Sequence, residues 1–142
     1  MSGPAPFRYE AFRLDPVRDL LSCQYSLGDR PFEERVTFPG GGQWDDPAVT
    51  AAARLVFLLA GVSYYKTAAP PVIDLGDTAV TDLERQFLRA FYLDGLGEFA
   101  YRNGLDLSGL RIDGPSADGL APAGGRESVP VRPLVPFGGG ID

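Results

Sequence analysis

Between Phe7 and Leu14 the chain reads FRYEAFRL, with aromatic and charged residues partly alternating. A period near two is what a strand with one buried face requires. Asp15-Pro16 breaks the pattern. Ser22–Leu27 and Pro31–Phe38 continue in the same style on either side of Gly28-Asp29-Arg30, a glycine-containing connection suited to a hairpin. The three segments predict a small antiparallel sheet. Within it Cys23 and Tyr25 alternate with Ser22 and Gln24, so Cys23 reads as a small buried hydrophobe rather than a nucleophile.

After Pro39-Gly40-Gly41-Gly42 the period changes. Asp45-Asp46-Pro47 offers acidic capping groups and a proline suited to a first helical turn, and AVTAAARLVFLLAG follows, with Gly61 as the expected stop. From Ala51 to Ala60 only Arg54 is polar, which predicts a buried helix. The next residues, Val62 to Thr67, lead to Ala68-Ala69-Pro70-Pro71 and read as a loop or short strand, because proline lacks the N–H a helix needs. Thr81-Asp82-Leu83-Glu84 matches a capping box. Leu83, Phe87, Leu88 and Phe91 then fall at helical spacing, predicting an amphipathic helix whose aromatic stripe faces the core. Gly95 and Gly97 divide it into two pieces before Asn103-Gly104 closes it.

The pattern defines three regions and an α+β class. Residues 1–102 form an N-terminal α+β module, with a small antiparallel sheet, a buried helix and an amphipathic helix. Residues 103–126, rich in glycine and proline, read as a surface loop or linker. Residues 127–142 read as a strand and a glycine loop, the opening of an α/β nucleotide-binding domain.

Charge and composition narrow the chemistry. The 142 residues carry 13 basic and 19 acidic side chains, a net −6, which disfavours binding a polyanion such as nucleic acid or an anionic membrane. Histidine is absent, so imidazole bases and His-containing triads are excluded within this chain. Proton transfer falls to Cys, Lys, Tyr, Asp or Glu. One cysteine forms no internal disulfide and no multi-thiolate metal site, and no metal-ligating set stands out. The N-terminus lacks an apolar signal region, and the longest apolar run, Leu55 to Val62, is far short of a span. A soluble, cytoplasmic protein is expected. Tyr64-Tyr65-Lys66, which holds the sole lysine, is the best-equipped cluster in the body of the chain.

The last residues, VPVRPLVPF followed by GGGID, carry a second signal. Successive glycines let backbone N–H groups turn inward around an anion without Cβ clashes, so Gly138, Gly139, Gly140 and Asp142 are candidate phosphate-binding residues. The pattern is similar to S-G-G-x-D-S, the pyrophosphate-binding loop of N-type ATP pyrophosphatases, with Gly138 in place of its first Ser. No residue of the chain supplies the closing Ser. This predicts the N-terminal part of a longer protein.

Four blocks, FRLDPVRDLLSCQYSLGDRPFEERVTFP, ARLVFLLAGVSYYKTAAPPVIDLG, DLERQFLRAFYLDGLGEFAYRNGLDL and VPFGGGID, resemble in order the N-terminal region of the UDP-N-acetylmuramoyl-L-alanyl-L-glutamate epimerase family, MurL. The resemblance runs from Phe7 onward and covers roughly the first third of a family member. It implies ATP and Mg²⁺ as cofactors, a UDP-muramoyl-dipeptide substrate, and inversion of its terminal L-Glu to D-Glu in peptidoglycan precursor synthesis. The implied logic is carboxylate adenylation. Removing the carboxylate charge makes the α-proton acidic enough to abstract. Gly138, Gly139, Gly140 and Asp142 are then implied to hold the nucleotide. Lys66, with Tyr64 and Tyr65, is the candidate catalytic cluster, contacting the substrate carboxylate or moving a proton. Two alternatives stay open: another adenylate-forming enzyme with a pyrophosphatase loop, and, for the 142 residues alone, a non-catalytic module that binds a partner domain or substrate.

Overall fold

The computed structural model describes residues 3–117. The strand and glycine loop expected in 127–142 lie outside the described residues. The class is α+β. β1 (Phe7–Asp15), β2 (Leu20–Leu27) and β3 (Arg30–Thr37) form an antiparallel meander. The carboxylate of Asp15 accepts from Val17 N and Arg18 N, both at 3.1 Å, and turns the chain into β2. The second hairpin loop is tighter than the sequence suggests. Arg30 already pairs with Leu27, which leaves Gly28-Asp29 as the loop, and Gly28 takes the left-handed φ of 63° that such a turn requires.

α1 (Pro47–Tyr65) starts as expected, with the Asp46 carboxylate accepting from Ala48 N at 2.8 Å and proline in its first turn. It does not stop at Gly61. The helix runs four residues further, and Gly61 serves another purpose: a Cβ built there would lie 2.6 Å from the Tyr9 hydroxyl and 2.8 Å from its Cζ. The glycine makes room for a phenol beneath the helix. Tyr9 donates to Leu58 O at 2.6 Å and Tyr25 donates to Phe57 O at 2.6 Å, so the sheet holds α1 through its backbone as well as its side chains.

α1 buries one face. Ala53, Phe57, Leu58, Gly61 and Tyr65 point inward, while Leu55 and Val56 stay 48% and 38% exposed. Among the described residues α1 is the one helix long and apolar enough to cross a membrane. Here its inner face belongs to the core. Phe57 meets Tyr9 edge-on and stacks on Tyr25, at ring distances of 5.2 and 5.3 Å.

β4 (Val72–Asp74) follows Pro70-Pro71 and pairs parallel with β1. α2 (Asp82–Gly95) begins with the predicted capping box: Glu84 N donates to Thr81 Oγ1 at 3.1 Å, and Thr81 N donates to Glu84 Oε1 at 3.0 Å. α3 (Gly97–Arg102) is the second piece of this helical stretch. The rotation of α2 differs from expectation. Leu88 and Tyr92 are buried, whereas Leu83 and Phe87 are 76% and 55% exposed. β5 (Arg111–Asp113) completes a five-stranded mixed sheet in the order β3-β2-β1-β4-β5, parallel to β4. Part of the stretch expected as linker is therefore a sheet edge. Arg85 and Arg89 of α2 fasten it by donating to Ile112 O, Gly114 O and Ser108 O.

The helices share one sheet face. On the other, Ser22 donates to Glu33 at 2.7 Å and Ser26 to Glu10 at 2.5 Å, a polar surface. Between the helices, Arg54 holds Glu84 in a two-pronged bridge of 2.5 and 3.2 Å and also donates to Ala79 O at 2.6 Å. The first of these lowers the Glu84 pKa below the ordinary carboxylate value.

Gly61→Ala is expected to cost about 1–3 kcal/mol, since the methyl group must displace Tyr9 from a packed core; a denaturant melt of both proteins measures it. Arg54→Met is expected to cost about 1–2 kcal/mol after solvent screening. A lowered folded pKa means that the Glu84 contribution is present above the ordinary carboxylate pKa and fades as pH falls through the lowered one. The Arg54→Met penalty should therefore shrink in acid melts.

Candidate active site

Tyr64, Tyr65 and Lys66 sit at the C-terminal turn of α1, where successive residues are about 100° apart around the axis. The structure sends their side chains to three different neighbours. Tyr65 is fully buried: its hydroxyl donates to Pro70 O at 2.8 Å, and its ring meets Phe7 and Tyr92 edge-on at 6.0 and 5.1 Å. Burial pushes its pKa up to about 12. This phenol closes the end of α1 onto the 66–70 turn.

Tyr64 faces β3. It donates to the Glu34 carboxylate and packs on Phe32 and Tyr25, at ring distances of 5.2 and 5.7 Å. The Glu34 hydrogen bond, then burial, pushes its pKa up to about 12. Glu34 was not singled out from the sequence, yet the signal is there. In β3 the half-buried positions Phe32, Glu34 and Val36 alternate with exposed ones, which puts a carboxylate on the apolar side of the strand. Lys66 caps α1 from outside. Its N–H donates to Val62 O at 3.4 Å, its ammonium lies 6.0 Å from the centre of the Phe99 ring on α3, and the side chain is exposed at the negative end of the helix dipole.

Tyr9, Tyr25 and Tyr92 form the polar interior of the core. Tyr9 and Tyr92 hydroxyls lie 2.5 Å apart, and all three phenols have pKa values raised chiefly by burial. Cys23 is fully buried, as expected, and burial pushes its thiol up as well. No buried side-chain polar atom among the described residues lacks a partner. The tyrosines are structural donors with their protons in use.

The remaining site residues, Gly138, Gly139, Gly140 and Asp142, lie outside the described residues. Within them a second glycine run, Gly40 to Gly42 ahead of α1, tests whether polyphosphate fits elsewhere. Gly41 N donates to Asp19 Oδ2 at 3.2 Å, Trp44 Nε1 donates to Asp19 Oδ1 at 3.0 Å, and Asp46 already caps the helix. The chain's own carboxylates fill that turn, so it does not fit an anionic ligand. Among the described residues no group of three or more His, Cys, Asp or Glu is placed to hold a metal ion.

Comparison with known proteins agrees with the block pattern. The family model of the MurL N-terminal domain matches residues 2–142. The chain is similar to UDP-N-acetyl-alpha-D-muramoyl-L-alanyl-L-glutamate epimerases from Xanthomonas oryzae pv. oryzae (38% identical), Salinispora tropica (39%) and a Micromonospora strain (32%). In each, 96% of this chain is covered. It spans 31% of the Xanthomonas and Salinispora proteins and 32% of the Micromonospora one. No solved structure matches the chain.

Raised phenol pKa values fix the sign of an alkaline dependence. The stability they contribute is complete below the ordinary tyrosine pKa, about 10, and is lost as pH rises through the raised values. Melting temperature should hold to that point and fall as Tyr64 and Tyr65 approach their pKa of about 12. Phenolate absorbance should grow in step with the loss of circular dichroism. Full tyrosine ionisation with a native dichroism spectrum would contradict the buried network.

Proposed function

The chain belongs to the MurL N-terminal domain family, and on that premise we propose that it is the N-terminal region of an ATP-dependent epimerase that converts the terminal L-Glu of UDP-MurNAc-L-Ala-L-Glu to D-Glu in peptidoglycan precursor synthesis. The observation that carries the reading is the match along residues 2–142, together with three relatives named as that epimerase. Bound at Gly138, Gly139, Gly140 and Asp142, ATP with Mg²⁺ would supply activation of the substrate carboxylate by adenylation. Every other contribution of this region is physical support or substrate contact.

Lys66 is the residue of the cluster that can meet a substrate. Its charge is exposed, tethered by the Phe99 ring and carried at the end of a helix whose position the sheet fixes. A lysine so placed suits an anionic group such as a glutamate carboxylate. Tyr65 and Tyr64 position it: one pins the last turn to Pro70, the other pins it to β3 through Glu34. Neither phenol can accept a proton while its own is held in a hydrogen bond and its pKa lies near 12.

The test is an intact family member carrying this N-terminal region, supplied with ATP, Mg²⁺ and UDP-MurNAc-L-Ala-L-Glu. Chiral analysis of the glutamate recovered by acid hydrolysis of the UDP-sugar peptide should show the D-enantiomer accumulating only when ATP is present. Absence of inversion by a folded, ATP-binding protein would overturn the reading. Lys66→Met should leave the melting temperature within about a degree, as expected for an exposed surface substitution. It should raise KM for the UDP-sugar peptide several-fold, with a smaller change in kcat. Unchanged kinetics would remove Lys66 from the site.

A further inference from the structure

We propose that the outer face of α1 and the first turns of α2 are a docking surface for the region that the epimerase relatives carry downstream of the part matched here. The face is apolar in a way the fold itself does not use. Leu55 and Val56 on α1, with Leu83 and Phe87 on α2, are exposed by 48, 38, 76 and 55%. They are neighbours rather than scattered residues. A groove of about 340 Å³ runs between the helices, floored by Leu58 and Leu88 and walled by Leu55, Leu59, Leu83 and Phe87. On the far side of α1, Val56 and Ala52 form one wall of a second groove, of about 440 Å³, whose other wall is Phe38 and Trp44. One helix thus separates two apolar furrows, a surface that stable monomers rarely present to water.

Two observations choose the occupant. The first is where the last described residues lie. Ser116 bridges Val80, and Ala117 N donates to Val80 O at 2.8 Å. Val80 immediately precedes Thr81, the cap of α2, and Ala79 is held by Arg54 of α1. The last described residues therefore lie beside the start of α2, whose first turn carries Leu83. The second is length. This chain spans 31–32% of its relatives, so most of each relative is polypeptide outside the described fold. A body joined covalently to this chain meets the groove at high effective concentration, without the cost of free association. A lipid surface fits less well: the chain carries a net charge of −6, and lifting α1 into a bilayer would break the Tyr9 and Tyr25 bonds to its backbone.

The inference rests on the epimerase reading for the identity of the partner, and the test separates the two. Hydroxyl-radical footprinting is read on this chain alone and on a hybrid in which it replaces the matched third of the Salinispora relative. Alone, Leu83 and Phe87 should label as exposed side chains, and the protein should sediment as a monomer. In the hybrid, labelling of Leu55, Val56, Leu83 and Phe87 should fall several-fold. Equal labelling in both proteins overturns the proposal. So does a dimer of the isolated chain with these positions already protected, or flotation of the isolated chain with phosphatidylcholine–phosphatidylglycerol vesicles. Phe87→Asp gives a second measurement. It should leave the melt of the isolated chain unchanged and restore labelling of Leu83 in the hybrid; unfolding of the isolated chain would instead make Phe87 a core residue and overturn the proposal. Glutamate inversion by the hybrid reports on the epimerase reading independently. Turnover without protection removes the docking surface only, and protection without turnover removes the activity only.

Discussion

Two carbonyls in the middle of α1, those of Phe57 and Leu58, receive phenol protons from Tyr25 and Tyr9 on neighbouring strands, and this pair fixes the height and the rotation of the helix on the sheet. A helix interior has no spare N–H groups, but each carbonyl oxygen has a second lone pair, so a phenol can join without breaking the ladder. The approach works only because Gly61 has no side chain where the Tyr9 hydroxyl must sit. Tyr92 extends the same contact to α2, its hydroxyl 2.5 Å from that of Tyr9. Three elements therefore meet at one buried oxygen. Desolvation keeps that oxygen protonated, because a phenolate here would face carbonyls and rings with no water.

Once rotation is fixed, the faces follow. With Ala53, Phe57 and Leu58 turned inward, Leu55 and Val56 must turn outward, and the geometry leaves no choice about it. α2 obeys the same logic. Tyr92 reaches the core, Glu84 reaches Arg54, and the arc between them carries Leu88 inward and Leu83 and Phe87 outward. The apolar groove between the helices thus results from a polar network on their inner sides. Hydrophobic burial alone would have favoured turning Leu83 and Phe87 in.

This explains which parts of the fold were legible in the chain. The meander was readable because β1, β2 and β3 are eight or nine residues long and alternate. The capping box was readable because its chemistry is local. β4 and β5 are three residues each, too short to show a period, and exist because β1 offers a parallel edge that they extend in turn. The two faces of α1 were indistinguishable by pattern, since both are apolar; the deciding partners, Tyr9 and Tyr25, lie 49 and 32 residues from the carbonyls they bind. Gly61 read as a stop because a local rule was applied to a tertiary contact. Within the candidate cluster, adjacency in sequence hid divergence in space: Tyr64, Tyr65 and Lys66 meet β3, the core and α3 respectively.

The same divergence bears on chemistry. Inverting a carbon centre requires groups that gain and lose protons near neutral pH. In the described region the phenols of Tyr9, Tyr25, Tyr64, Tyr65 and Tyr92 and the thiol of Cys23 are all shifted upward, away from that range. There is no histidine to compensate. The carboxylates with resolved shifts, Glu33, Glu84 and Asp106, move the other way, each stabilised as an anion by its hydrogen bonds. The groups with resolved shifts are thus driven away from neutrality in both directions. In the proposed reaction the region's share is a fixed charge at a fixed place, and Lys66 at the tip of a helix clamped from beneath by tyrosines is where the fold offers one.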